Sequence, residues 1–322
     1  MSDTPTTTPH TPADPTAAST PATPVAAPAS TPAPAPVAGA DDLLRAVQGG
    51  VETIDLGRQL RVGMPQSPNH PQFWHTLPRR HGDMVRSDGS SAANDMITTG
   101  THVGTHIDAL AHVSFDGKLH GGADAAAACV GGKYEEHGVH TIAPMLRRGV
   151  LLDVAGHLGL THCEGGYEIT VADLEATAER AGVTVGAGDV VLIRSGWGAR
   201  FAEGAAYVGG ASGVPGVGEA GAVWLAERGV HAAGADTIAF ERLAPGGGHA
   251  LLPAHRVLLV EAGIYIVEAL DLEGLAAAGW AEFTFVLVPM NIFGATGSPV
   301  RPLALRSSDT QTQDQTQSGA AS

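Results

Sequence analysis

Cysteine is nearly absent from this chain: Cys129 and Cys163 are the only two in 322 residues, and they lie far apart. A disulfide framework does not fit, and a reducing cytoplasm is the expected setting. Cys163 follows His162, but with no CxxC nearby the pair reads as incidental. Long apolar runs are missing too, and none approaches the roughly 18 to 20 residues of a membrane span. Basic residues are scarce: 18 Lys and Arg stand against 33 Asp and Glu, a net charge of −15. Nucleic acid and anionic membrane surfaces would repel such a chain and are not expected as partners. Residues 1 to 40 lack Arg and Lys and consist almost wholly of Pro, Thr, Ala and Ser, so they resemble neither a secretory signal nor a transit peptide. They and the polar run 307–322 have little to bury and are expected to be disordered. That leaves residues 41–306 as the folded domain, and a hydrophobic content of 43% suffices for a substantial core.

What the chain does have is a crowd of metal-binding side chains. Residues 102 to 112 read His-Val-Gly-Thr-His-Ile-Asp-Ala-Leu-Ala-His. Imidazole and carboxylate at short spacing are the usual donors for divalent transition ions. The β-branched Val103, Thr105 and Ile107, with Gly104, disfavour a helix. In an extended segment His106 and Asp108 share a face. A bend at Gly104 brings His102 in from the other side. His112 lies just beyond, able to reach the same pocket without being a ligand.

The rest of the domain alternates strand and helix. Val150–Val154 and Val190–Ile193 read as strands. Thr170 and Asp173 form a capping box for a helix over 171–181 ended by Gly182. A helix over 220–228 ends at Gly229, and 230–234 follows as a strand. This order predicts an α/β fold with parallel pairing. Gly209, Gly210, Gly213, Gly216 and Gly218 match no nucleotide fingerprint and predict a lid or plain loop.

The segment His102-x-Gly104-Thr105-His106-x-Asp108-x-x-x-His112 resembles the signature of the metal-dependent cyclase family, which includes bacterial kynurenine formamidases (arylformamidases) and isatin hydrolases. Asp189–Trp197, Ala254–Leu259, Ile264–Leu270 and Gly297–Ala304 resemble later family segments in the same order, and the likeness spans roughly residues 50 to 306. The resemblance implies a single swivelling β/β/α-type domain, usually assembled as a homodimer or homotetramer. It implies His102, His106 and Asp108 as metal ligands, His112 as catalytic acid/base, and His255 and Glu268 as further ligands in members with two metals. The chain departs from the common pattern at Leu110, Val113 and Ala269, which bears on the substrate rather than on the donors.

Read alone, His255 is as good a core histidine as a ligand. Glu268 sits in the apolar run Ile264–Leu270, where an unpaired carboxylate is costly and a metal would remove the cost. Phe73 and Trp74 either line an aromatic substrate pocket or pack on the core. Arg194 reads as a structural ion pair in preference to a substrate anchor. His120 and His249 read as solvated, with His249 a minor site candidate.

One or two zinc or manganese ions per chain would polarise a carbonyl and lower the pKa of water towards about 7 for zinc. The expected activity is therefore a cytoplasmic metal-dependent amidohydrolase that opens a formamide, lactam or related cyclic amide of small size. A metal-assisted cyclase or lyase is the competing enzyme reading, and a non-catalytic metal-binding protein of the same fold is the third.

Overall fold

The computed structural model describes residues 40–308, with side chains from residue 43. The expected disordered tails lie outside the described residues, apart from Ala40, Ser307 and Ser308. The chain divides into two units after Leu44. Of the first, only the opening of helix α1 (Ala40–Gly49) is described. The second, from Arg45 onward, is a mixed α/β domain built on one large sheet.

Nine strands form that sheet: β1 (Val51–Asp55), β2 (His106–Asp108), β3 (Met145–Asp153), β4 (Val190–Arg194), β5 (Ala232–Ala235), β6 (Tyr265–Glu268), β7 (Glu282–Leu287), β8 (Gly297–Pro299) and β9 (Leu303–Ser307). Their spatial order is β1-β9-β7-β3-β4-β5-β6-β2-β8. The middle four, β3 to β6, pair in parallel, as the alternation of strand and helix predicts. Both flanks are antiparallel, which the sequence pattern does not reveal.

The parallel strands are apolar on both faces because both faces are covered. On one, Val150, Leu152, Val191, Ile193, Ala233 and Ile266 pack against helices α2 (Val171–Ala181) and α3 (Glu219–Glu227) and against Val257, Leu258 and Leu259. On the other, Leu151, Leu192, Val267 and Ile107 pack with Phe283, Phe285 and Leu287 of β7. Burying one such aliphatic side chain contributes about 1.5 to 3 kcal/mol. A third cluster, around Met64, Phe73, Val103 and Trp197, supports the segment that leads into β2.

Local expectations hold in detail at α2. Thr170 accepts from the Asp173 amide, the Asp173 carboxylate accepts from Thr170, and Gly182 ends the helix in the left-handed region. The glycine-rich stretch 209–218 is pinned rather than free: Val214 is buried and bridges Leu243, and Gly216–Val217 pair with Glu168–Ile169. A plain packed loop describes it better than a lid.

Arg194, at the end of β4, makes the ion pair favoured from sequence. Its Nε and Nη2 donate to Glu273, and its Nη1 donates to Asp153 at 2.7 Å. The guanidinium is nearly buried, and burial opposes its charge, yet these carboxylates raise its pKa. We expect Arg194→Met to destabilise the fold by about 1 to 3 kcal/mol, below the full cost of a broken buried pair because both acids are partly exposed. Urea unfolding measures this, and an unchanged midpoint would contradict it.

Candidate metal centre

The sheet register assembles the centre. Strand β2 lies between β6 and β8, with His106 opposite Glu268 and Asp108 opposite Ile266. Opposed residues share a face, and so do residues two apart on a strand. His106, Asp108 and Glu268 are thus delivered to one face by backbone pairing alone. His255 reaches the same place from the short helix Pro253–His255, which runs on into a π-helical turn, Arg256–Ala262.

The four side chains close an alternating ring of nitrogen and oxygen. His106 Nε2 lies 3.3 Å from Glu268 Oε2 and 3.6 Å from Asp108 Oδ1. His255 Nε2 lies 3.2 Å from Glu268 Oε1 and 3.6 Å from Asp108 Oδ2. All four residues are buried. The outer nitrogens are held by acceptors: His106 Nδ1 donates to the Gly104 carbonyl at 2.8 Å, and His255 Nδ1 to Glu241 Oε1 at 2.7 Å. Each ring therefore turns Nε2 inward, the arrangement that second-shell partners impose on ligating histidines.

Two carboxylate oxygens within the ring, Asp108 Oδ2 and Glu268 Oε1, are buried with no directed hydrogen bond. Such orphaned acceptors are costly unless a cation meets them. The charge pattern points the same way. Burial opposes the charged form of His106 and His255, but Glu268 and Asp108 outweigh it, and both histidine pKa values rise. Burial likewise opposes the charged carboxylates, yet the surrounding imidazoles draw the pKa of Asp108 and of Glu268 down. Two anions thus favour positive charge between the facing imidazoles. A divalent cation supplies that charge, so the donor set fits one.

His102 enters from beyond the bend, as expected, and leans on Asp108: its Nδ1 lies 2.6 Å from Oδ1, while Nε2 contacts Thr296 Oγ1 at 2.9 Å. His112 stacks on His102 with ring centroids 3.8 Å apart. Burial pushes its pKa down to about 4, so the imidazole is neutral at pH 7. Among the described residues, two groups have spacing suited to an ion: His102 with His106 and Asp108, and Asp108 with His112 and His255. Cys163 joins neither; it is buried, and desolvation pushes its thiol up to about 12.

The bend depends on Gly104. Its φ is +68°, and an added Cβ would sit 2.4 Å from Leu60 Cδ2. Gly104→Ala combines left-handed strain with that overlap and is expected to cost about 1 to 3 kcal/mol. Metal affinity should fall with it, because the Gly104 carbonyl orients His106. Isothermal titration of the variant with zinc measures this, and wild-type affinity would contradict it.

Two residues of the centre escaped the sequence reading. His70 stacks on His102 at 5.2 Å and stands 6.3 Å from His112. The available signal was a histidine held between Pro68 and Pro71. Glu241 is buried, and its carboxylate accepts the His255 ring N–H and the backbone amides of Ala254 and His255. No sequence pattern marks it. Backbone strain does: Phe240 before it and Ala269 after Glu268 both take positive φ. Phe73 is in the apolar cluster under Val103, and Trp74 faces outward, half exposed, on a two-stranded ribbon. His120 is tied to the Val260 carbonyl, and His249 is half-buried and feels the charges of Glu268 and His255.

Glu241→Gln keeps the shape of the side chain and removes the charge that fixes His255. We expect metal affinity to fall about 10- to 100-fold, the usual scale for an outer-shell partner. Competition with a chromogenic chelator measures the change, and unchanged affinity would separate Glu241 from the centre.

A family model for cyclases matches residues 54–242, more than half of the chain. A solved structure described as a novel cyclase is 28% identical, with a TM-score of 0.72, and the match covers 82% of this chain and 92% of that one. Isatin hydrolase A from Ralstonia solanacearum is 24% identical, with a TM-score of 0.65 and coverage of 85% and 99%. A predicted metal-dependent hydrolase from Bacillus stearothermophilus is 20% identical, with a TM-score of 0.51 and coverage of 80% and 98%. The last two share the fold. No curated protein matches the sequence.

Proposed function

Because this chain belongs to the Cyclase family, we propose that it is a metal-dependent hydrolase that opens a formamide, lactam or related cyclic amide. The single observation that carries this reading is the pair of orphaned oxygens, Asp108 Oδ2 and Glu268 Oε1, both facing His255 Nε2, while the other oxygens of the same two carboxylates face His106 Nε2. His106, Asp108, His255 and Glu268 would hold the ion, zinc or manganese, and His102 would complete the set by exchanging its contact with Asp108. A second ion would share Asp108. The bound ion supplies a Lewis acid that activates water and polarises a carbonyl. Isatin hydrolase and metal-dependent hydrolase neighbours of the same fold support hydrolysis as the reaction class.

His112 has the remaining requirement, a neutral imidazole beside the donors and outside the ring. It takes a proton from the attacking water and returns it to the leaving nitrogen. His70, half-buried over His102, is placed to meet the substrate.

A second reading is a cyclase or lyase reaction that adds or removes water, favoured by the solved cyclase at 28% identity. One screen separates the two. Formamides, isatin-like lactams and lactones are incubated with the protein, with and without chelator. Chelator-sensitive ring opening or deformylation is expected. Hydration or dehydration without C–N cleavage would replace the hydrolase reading by the lyase.

A further inference from the structure

The ladder between β2 and β6 stops at the pair His106–Glu268, two members of the ring. One residue further, Thr105 and Ala269 would form the next rung. Ala269 instead takes a φ of +52°, which a residue with a Cβ rarely adopts, and its amide donates to the Thr237 carbonyl. Its own carbonyl is met by a side chain: the Thr105 hydroxyl donates to it at 2.8 Å. The same hydroxyl accepts the Arg58 amide, also at 2.8 Å. One oxygen thus joins three chain segments at the point where the two metal-bearing strands part. Thr105 is buried, so both contacts are shielded from water.

Arg58 completes the join from its other end. Its Nη1 donates to Asp271 Oδ2 at 3.1 Å, and its Nη2 donates to the carbonyls of Gly198 and Leu270 at 2.9 and 3.0 Å. The guanidinium, largely buried, lies over the Phe201 ring. The Asp271 amide donates to the Leu56 carbonyl, and the Thr105 carbonyl accepts the Val300 amide beyond β8. Residues 269–271, which follow Glu268, are therefore tied to Leu56, Arg58 and Thr105, and Thr105 directly precedes His106.

We infer that Thr105 and Arg58 are positioning residues that set the separation of His106 from Glu268, and with it the fit of the ring to an ion. The inference rests on the metal centre as read above. His106 Nε2 and Glu268 Oε2 stand 3.3 Å apart. Two donors each about 2.1 Å from a tetrahedral ion stand about 3.4 Å apart, so a small slip between the strands takes one donor out of reach. Backbone pairing holds this spacing poorly, because His106–Glu268 is the terminal rung of a three-rung ladder and ladder ends fray. The Thr105 hydroxyl supplies the rung the backbone lacks, and the planar fork of Arg58 fixes the residues that follow. Valine has the shape of threonine without its donor or acceptor, so Thr105→Val leaves the Arg58 amide and the Ala269 carbonyl unpaired. Serine keeps both contacts.

Cobalt(II) titration of the full chain tests this, because the visible d–d bands of the bound ion report its coordination geometry as well as its affinity. Thr105→Val and Arg58→Lys should each lower cobalt affinity about 10- to 100-fold, the scale of partners that orient ligands, and should change the band shape. Thr105→Ser should restore both. Wild-type affinity and bands in the valine and lysine variants overturn the inference. So does weaker binding with unchanged bands, which is the signature of lost folded protein alone, or a serine variant as defective as the valine. If the valine variant does not fold, the comparison of Arg58→Lys with the wild type decides by the same two readouts. A wild type that takes up no cobalt overturns the centre itself and the inference with it, whereas cobalt uptake insensitive to these substitutions overturns the inference alone.

Discussion

His106→Ala is expected to empty the centre of metal and abolish turnover. His106 supplies the Nε2 that stands between Glu268 Oε2 and Asp108 Oδ1, and its pairing opposite Glu268 fixes all three in one register. Removing it opens the ring and leaves two buried carboxylates with one fewer imidazole to balance them. Loss of an outer-shell partner costs about 10- to 100-fold in affinity; loss of a donor itself should cost at least the upper figure. The substituted alanine is small and buried, so a thermal melt will show some destabilisation as well. Metal content after dialysis separates the two effects. A folded variant holding a full complement of metal would show that the ring is not the site.

His112→Asn is expected to have the second-largest effect, with a different signature. Turnover should fall about 10²- to 10⁴-fold, the range for a lost general acid or base, while the metal stays bound. The asparagine retains a polar side chain against His102 but cannot carry the proton. The ring geometry is why these two variants should differ: His106 lies in the closed set, whereas His112 stacks on His102 at its margin. Loss of metal together with activity would make His112 a ligand, alongside Asp108 and His255.

Much of this centre is legible in the sequence because it is local. His102 to His112 fall in one short segment, the alternation of β-branched residues forces His106 and Asp108 to one face, and Gly104 marks the bend. Glu268 is legible by a cost argument, a carboxylate within an apolar strand. The antiparallel placement of β2 between β6 and β8 is not, because short strands carry no partner information. Nor is Glu241, whose role is to hold another residue's ring and cap its helix from a loop. His70 reaches the centre by packing, which no periodicity encodes. The same holds for the ribbon: from sequence Trp74 reads equally as a pocket aromatic or as packed on the core, and only the fold shows it half exposed.

The central claim is that Asp108, Glu268, His106 and His255 converge on one divalent ion. Anomalous diffraction from crystals of the protein grown with zinc or manganese tests it most directly. The account predicts a strong peak inside the ring, bounded by Asp108 Oδ2 and Glu268 Oε1 and by the Nε2 atoms of both histidines. A peak elsewhere in the domain, or a ring that stays closed by its own ion pairs at saturating metal, would contradict it.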